Sequence, residues 1–153
     1  MGEKGLNGGI MFFGEVKHNI DAKGRLVLPA KFRDGIQDGY VMTKGLDQCI
    51  FLFPMDEWRR MEEKLKSLPI THKNARAFVR YFFSGACDGE LDKQGRVRIP
   101  QNLMDYARLN ATTVIIGVGT RMEIWSEDLW DAYTEDDALS YDQIAQQLSD
   151  LGI

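Results

Sequence analysis

Asp21-Ala22-Lys23-Gly24-Arg25-Leu26-Val27-Leu28-Pro29 returns 71 positions later as Asp92-Lys93-Gln94-Gly95-Arg96-Val97-Arg98-Ile99-Pro100. A unit that occurs twice fixes an architecture before any residue is given a role. The match extends in both directions. Upstream, Phe12-Phe13-Gly14 answers to Phe83-Ser84-Gly85, and Ile20 to Leu91. Downstream the offset becomes 72, and Gly45, Ile50, Leu52, Phe53, Asp56 and Trp58 meet Gly117, Met122, Ile124, Trp125, Asp128 and Trp130. One inserted residue accounts for the change, so the chain is a tandem duplication.

Each copy reads as a strand, a tight turn and a second strand. In Asp-x-x-Gly, aspartate bonds the backbone ahead of it and glycine supplies positive φ. Arg25-Leu26-Val27-Leu28 and Arg96-Val97-Arg98-Ile99 are short β-prone runs, the second alternating with period two. Pro29 and Pro100 suit the start of a short helix. Two further strands are predicted per copy: Tyr40–Thr43 with Ile50–Phe53, and Thr113–Ile116 with Met122–Trp125. Pro54 opens a helix whose stripe is Trp58, Met61, Leu65 and Leu68, with Asp56 and Glu57 favouring the dipole in its first turn. Ser126 is a good N-cap for the equivalent helix containing Leu129, Trp130 and Tyr133. Thr71 to Phe83 reads as a central helix with Ala75, Phe78, Val79 and Phe82 on one face. His72, Lys73, Arg76 and Arg80 make its basic face, read as solvated in preference to ligand-binding.

A single copy has too little apolar surface to fold alone. No Pro/Ser/Gly linker separates the two, so they are expected to pair about a pseudo-twofold axis. The fold class that follows is α+β and mainly β: one β barrel from two tandem repeats, with peripheral helices. The expected divisions are a flexible extension (1–10), repeat one (11–58), connecting helices (59–82), repeat two (83–130) and an acidic C-terminal segment (131–153). Met11 is a possible alternative start.

The net charge of -4 conceals an uneven distribution. From Ser126 onward there are eight acids and no Lys or Arg, leaving 19 basic against 23 - 8 = 15 acidic residues before it. A basic body with an acidic end is compatible with nucleic-acid binding, and equally with an ordinary soluble surface. No apolar run reaches the roughly 18 residues of a membrane span. Cys49 and Cys87 have no metal-ligand spacing and fit a reduced compartment. His18 and His72 sit in no catalytic or metal pattern, and no nucleophile elbow, phosphate loop or dinucleotide fingerprint is present. Neither an enzyme, nor a cofactor, metal or small-molecule ligand is expected.

The turn followed by arginine resembles the swapped-hairpin module of the AbrB/SpoVT transition-state regulators. Two such modules with DxxGR in each, separated by a central helix, resemble the MraZ family of bacterial transcriptional regulators over residues 11 to about 135. The resemblance implies a double swapped-hairpin barrel and sequence-specific binding of double-stranded promoter DNA at short repeated elements. In that family these lie upstream of division and cell-wall genes. It also implies a homo-oligomeric ring and a cytoplasmic, nucleoid-associated protein. The Gly-rich start and the acidic end are not part of that signature.

Physical chemistry supports the binding role. A two-stranded ribbon fits the major groove, an arginine after the turn can fork onto guanine, and a neighbouring lysine suits phosphate. Arg25 is the first candidate for base readout and Arg96 the second. Lys17, His18, Lys23, Lys31 and Arg33 surround Arg25 in sequence, whereas copy two has Asp88, Gly89, Gln94, Asn102 and Met104 at the aligned positions, with Lys93 and Arg98 partly restoring charge. The first hairpin is therefore expected to dominate DNA contact. Asp21, Gly24, Asp92 and Gly95 are assigned to turn structure. Two alternatives stand beside this reading. In one, each arginine only braces its turn by pairing with its own aspartate; in the other, the modules serve as an antitoxin-like or protein-interaction unit. The acidic end, with Ile144, Leu148 and Leu151 at helical spacing, is read as packing against the body or a neighbouring subunit.

Overall fold

The computed structural model describes residues 11–152, and the extension expected at residues 1–10 lies outside them. The first copy folds as β1 (Phe12–Asn19), β2 (Arg25–Val27), α1 (Ala30–Arg33), β3 (Tyr40–Lys44), β4 (Ile50–Pro54) and α2 (Met55–Lys66). After the central helix α3 (Lys73–Ser84) the series returns as β5 (Cys87–Gly89), β6 (Arg96–Arg98), α4 (Gln101–Tyr106), β7 (Thr112–Gly119), β8 (Met122–Ser126) and α5 (Glu127–Thr134). Helix α6 (Tyr141–Gln147) follows.

The local signals act where the sequence places them. Pro29, Pro54 and Pro100 stand, extended, at the N-cap of a helix, for Pro29 and Pro100 one residue before the first helical position expected of them. Ser126 Oγ accepts the Leu129 N–H at 3.0 Å and caps α5. His72 Nδ1 accepts the Ala75 N–H at 3.1 Å and caps α3. In α2, Trp58, Met61 and Leu65 turn inward, but Leu68 lies beyond the last turn and remains exposed.

The strands form an antiparallel six-stranded sheet in the order β1-β7-β8-β4-β3-β5, and a separate two-stranded ribbon of β2 and β6. The repeats are interleaved. β1 of the first copy pairs with β7 of the second, and β5 of the second pairs with β3 of the first. Two registers reveal a local twofold axis. In the sheet Phe51 lies opposite Glu123, its own equivalent 72 positions away, and in the ribbon Leu26 lies opposite Val97, its equivalent 71 positions away.

Strands β4 and β8 are buried along their whole length, because both faces of the sheet are covered. On one face Ile50, Leu52, Ile115, Met122 and Ile124 pack beneath the ribbon residues Leu26, Leu28, Val97 and Ile99, and beneath Phe32 and Leu103 of the short helices. On the other, Phe51, Phe53 and Trp125 meet α2, α3 and α5 through Trp58, Leu65, Phe82, Trp130 and Tyr133. The molecule is thus three layers: ribbon with α1 and α4, sheet, and the longer helices. The buried Thr43 hydroxyl donates to the Phe82 carbonyl at 2.5 Å and ties the end of α3 to β3.

The copies differ at their leading strands. β1 runs for eight residues, whereas β5 has only three. Phe83 and Ser84, which align with Phe12 and Phe13, belong to α3 instead. The reason is local: Phe82 stacks on Trp58 and Phe83 meets the same ring edge-on, so the helical stripe claims these residues before the strand begins.

Candidate nucleic-acid interface

The two Asp-x-x-Gly turns share one construction. In the first, the Gly24 N–H donates to the Asp21 carbonyl and the Asp21 N–H to the Arg25 carbonyl, both at 3.0 Å. Asp21 Oδ1 accepts the backbone N–H groups of Lys23 and Arg25 at 2.9 Å, and Oδ2 accepts Arg25 Nε–H at 2.6 Å. In the second, Asp92 takes the N–H groups of Gln94 and Arg96 at 2.9 Å and Arg96 Nε–H at 2.7 Å. The backbone N–H of Arg25, then its guanidinium, hold the Asp21 carboxyl below the ordinary carboxylate range, and Arg96 does the same to Asp92. Gly24 and Gly95 adopt φ of +78° and +74°, where an L side chain is strained.

Each turn is locked to the other copy. The Ile99 N–H donates to the Gly24 carbonyl at 2.8 Å, and the Leu28 N–H to the Gly95 carbonyl at 3.2 Å. The turns consequently stand at opposite ends of the ribbon. Leu26 and Val97 point into the core at zero exposure, so strand alternation sends Arg25, Val27, Arg96 and Arg98 outward.

Both arginines do brace their turns, and they do so through Nε. The Arg25 side chain remains 34% exposed and that of Arg96 24%. Among the described residues Nη1 and Nη2 of Arg25 have no hydrogen bond, and Arg96 adds only a long 3.4 Å contact from Nη2 to Gln94. An ion pair to Nε leaves the terminal nitrogens of the guanidinium available while fixing its direction. Bracing and recognition are therefore compatible in one side chain.

Of the other basic residues expected around Arg25, Lys23 is exposed on the first turn itself, while Lys17, Lys31 and Arg33 have partners elsewhere. Lys17 lies opposite Val114, on the sheet face covered by the longer helices, and its Nζ pairs with Glu127 at 3.1 Å. The Glu127 hydrogen bond holds the Lys17 ammonium above its ordinary range. His18, the next residue on β1, takes the opposite parity, and its carbonyl accepts the Thr113 hydroxyl at 2.8 Å. Lys31 rests its ammonium over the rings of Phe13 and Phe32, at 5.6 and 5.3 Å. Arg33 crosses to the second turn: a Cβ at Gly95 would lie 3.1 Å from its Cζ. At the first turn the aligned residue is Met104, whose sulfur would lie 3.2 Å from a Cβ at Gly24. Sequence proximity had grouped these cations, but strand parity and the interleaving of copies separate them. Arg98, marked in the sequence only as restoring charge to copy two, stands directly opposite Arg25 in the ribbon. Its alternation with buried Val97 and Ile99 was the available signal.

Among the described residues no cluster of three or more His, Cys, Asp or Glu is placed to hold a metal ion, and no helix is long and apolar enough to cross a membrane. The sequence profile of the family described as "MraZ protein, putative antitoxin-like" matches residues 11–81 and again 82–151. The chain belongs to the MraZ family. The protein named transcriptional regulator MraZ from Alkaliphilus metalliredigens is 55% identical over 143 residues, covering 94% of this chain and 100% of the relative. That from Desulforamulus reducens is 55% identical over 141 residues, covering 92% and 99%. That from Clostridium tetani is 54% identical over 143 residues, covering 94% and 100%.

Proposed function

We propose that this protein is a transcriptional regulator that binds double-stranded promoter DNA with the outer face of the β2–β6 ribbon, and that it is not an enzyme. The observation that carries the reading is the pair of arginines held outward by carboxylates at the two ends of a rigid ribbon. The relatives' names, transcriptional regulator MraZ, support the regulatory part of the reading. The interleaved strands and the core enclosed between sheet and ribbon support a double swapped-hairpin barrel as the frame.

Arg25 and Arg96 read base edges, and Lys23 takes a phosphate. His18, Lys31 and Arg33 serve as flanking contacts, whereas Lys17 would first have to release Glu127. Asp21, Gly24, Asp92 and Gly95 set the turns. One ribbon neutralises few phosphates, so a single chain binds weakly and with strong salt dependence. Several chains in a closed homo-oligomeric ring, acting on repeated elements, gain through effective concentration. A protein of this kind works in the cytoplasm at the nucleoid. The antitoxin-like alternative rests on the family description and shares the same DNA face.

The test begins with selection of bound fragments from a random duplex pool by the full chain. Enrichment of short G-containing repeats is expected, with affinity rising as repeats are added. Arg25→Ala should then lose about 10- to 100-fold in a gel shift, the range for one bidentate base contact. No enrichment, or unchanged affinity for that variant, would refute the reading.

A further inference from the structure

We propose that each end of the ribbon is a composite DNA contact assembled from both copies, in which Arg98 completes the first turn and Arg33 the second. The proposal rests on the DNA-binding reading and adds two residues and a pairing rule to it.

The register fixes the first end. Arg25 and Arg98 are direct cross-strand partners. The flanking bonds, Ile99 N–H to Gly24 and Leu28 N–H to Gly95, place hydrogen-bonded pairs at Gly24/Ile99 and Leu28/Gly95. Alternation then makes Arg25/Arg98 a non-hydrogen-bonded pair, the closer class, with Cβ atoms about 5 Å apart. Two like charges so placed destabilise a ribbon. Asp21 offsets only Arg25, and among the described residues the Arg98 guanidinium has no ion pair or hydrogen bond. Two adjacent outward cations with one counter-charge form a site that a polyanion satisfies.

The second end reaches the same composition by another route. The cross-strand partner of Arg96 is the apolar Val27, so β2 supplies no cation there. Arg33 supplies it from α1, its guanidinium lying over Gly95. The first end thus holds Lys23, Arg25 and Arg98 with Asp21, and the second Lys93, Arg96 and Arg33 with Asp92. The two ends match in charge, although the two copies do not. Each strand of the ribbon spans three residues, about 10 Å. That is close to the roughly 12 Å width of a major groove, so the two ends face its two phosphate walls. The expectation that the first hairpin dominates assumed that each copy keeps its own cations. The geometry exchanges them.

The full chain is compared with Arg98→Ala, Arg98→Gln and Arg33→Met by fluorescence anisotropy on an enriched duplex over a series of salt concentrations. Arg33→Met installs the residue that the aligned position already carries. Each variant is expected to bind about 5- to 20-fold more weakly and to lower the salt slope by about 0.9, the loss of one phosphate contact. Arg98→Ala should be non-additive with Arg25→Ala, its neighbour across the ribbon, and additive with Arg33→Met at the other end. Thermal melts confirm folding, and Arg98 is exposed, so its two variants remain informative if Arg33→Met is unstable. Native affinity and slope for the Arg98 variants, with Arg25→Ala defective, would overturn the composite ends and leave the general reading intact. Silence of Arg25→Ala as well would remove both.

Discussion

Replacing Gly24 by alanine separates the two turns energetically. Gly24 lies at φ +78°, and a Cβ there would stand 2.7 Å from the Ile99 carbonyl oxygen and 3.2 Å from Met104 Sδ. Left-handed backbone costs a non-glycine residue about 1 to 2 kcal/mol. The methionine can swing away, but the carbonyl belongs to a residue whose own N–H donates to Gly24 at 2.8 Å. Relieving the overlap therefore stretches that hydrogen bond, adding about 1 kcal/mol. The sum is about 2 to 3 kcal/mol, or about 4 to 12 °C in Tm for a chain of this length. Gly95→Ala, at φ +74°, meets chiefly the Arg33 side chain, which is flexible. Only the backbone cost of about 1 to 2 kcal/mol remains. Calorimetric melts of the two variants at one protein concentration should place Gly24→Ala clearly below Gly95→Ala. Equal shifts, or the reverse order, would refute the view that the Ile99 carbonyl sets the difference.

Three further outcomes are expected. Because Asp21 and Asp92 are held below the ordinary carboxylate range, their contribution is present above about pH 3.9 and fades as the pH falls through the lowered folded-state values. The Tm gap between the native chain and Asp21→Asn should accordingly close in acid, and a gap that widens there would contradict the assignment. Thr43→Val removes the buried hydroxyl donated to the Phe82 carbonyl and should cost about 1 to 3 kcal/mol in denaturant unfolding. Cys49 is fully buried and burial pushes its thiol well up, whereas Cys87 is exposed, so a colourimetric thiol reagent should titrate one group in the native chain and two in denaturant.

Much of the fold was legible because the duplication gave two independent readings of each element. The strands before Lys44 and Pro54, the Ser126 cap and the central helix all follow from patterns local to a few residues. Long-range pairing was not legible in the same way. Nothing in Phe12–Asn19 states that its partner is Thr112–Gly119, since period-two patterning specifies a face and not a neighbour. The candidate site shows the same division. Arg25 and Arg96 stand out because the turn chemistry around them is local, while Lys17 and His18, adjacent in sequence, diverge by strand parity. Arg33 needed the tertiary structure, since it crosses to a turn more than sixty positions away.

The position of the local twofold has a consequence for how such a molecule can change over time. In a dimer of identical subunits, any residue on the symmetry element must face its own copy, so a glutamate there confronts a glutamate. Covalent fusion lifts that restriction. Phe51 faces Glu123, whose carboxylate accepts Arg121 Nη2–H at 2.7 Å and Trp125 Nε1–H at 3.1 Å, while the same arginine lies 4.2 Å over the Phe51 ring. A one-sided cluster of this kind is closed to a symmetric homodimer and open to a chain that carries both halves, where each can drift without forcing the same change on the other.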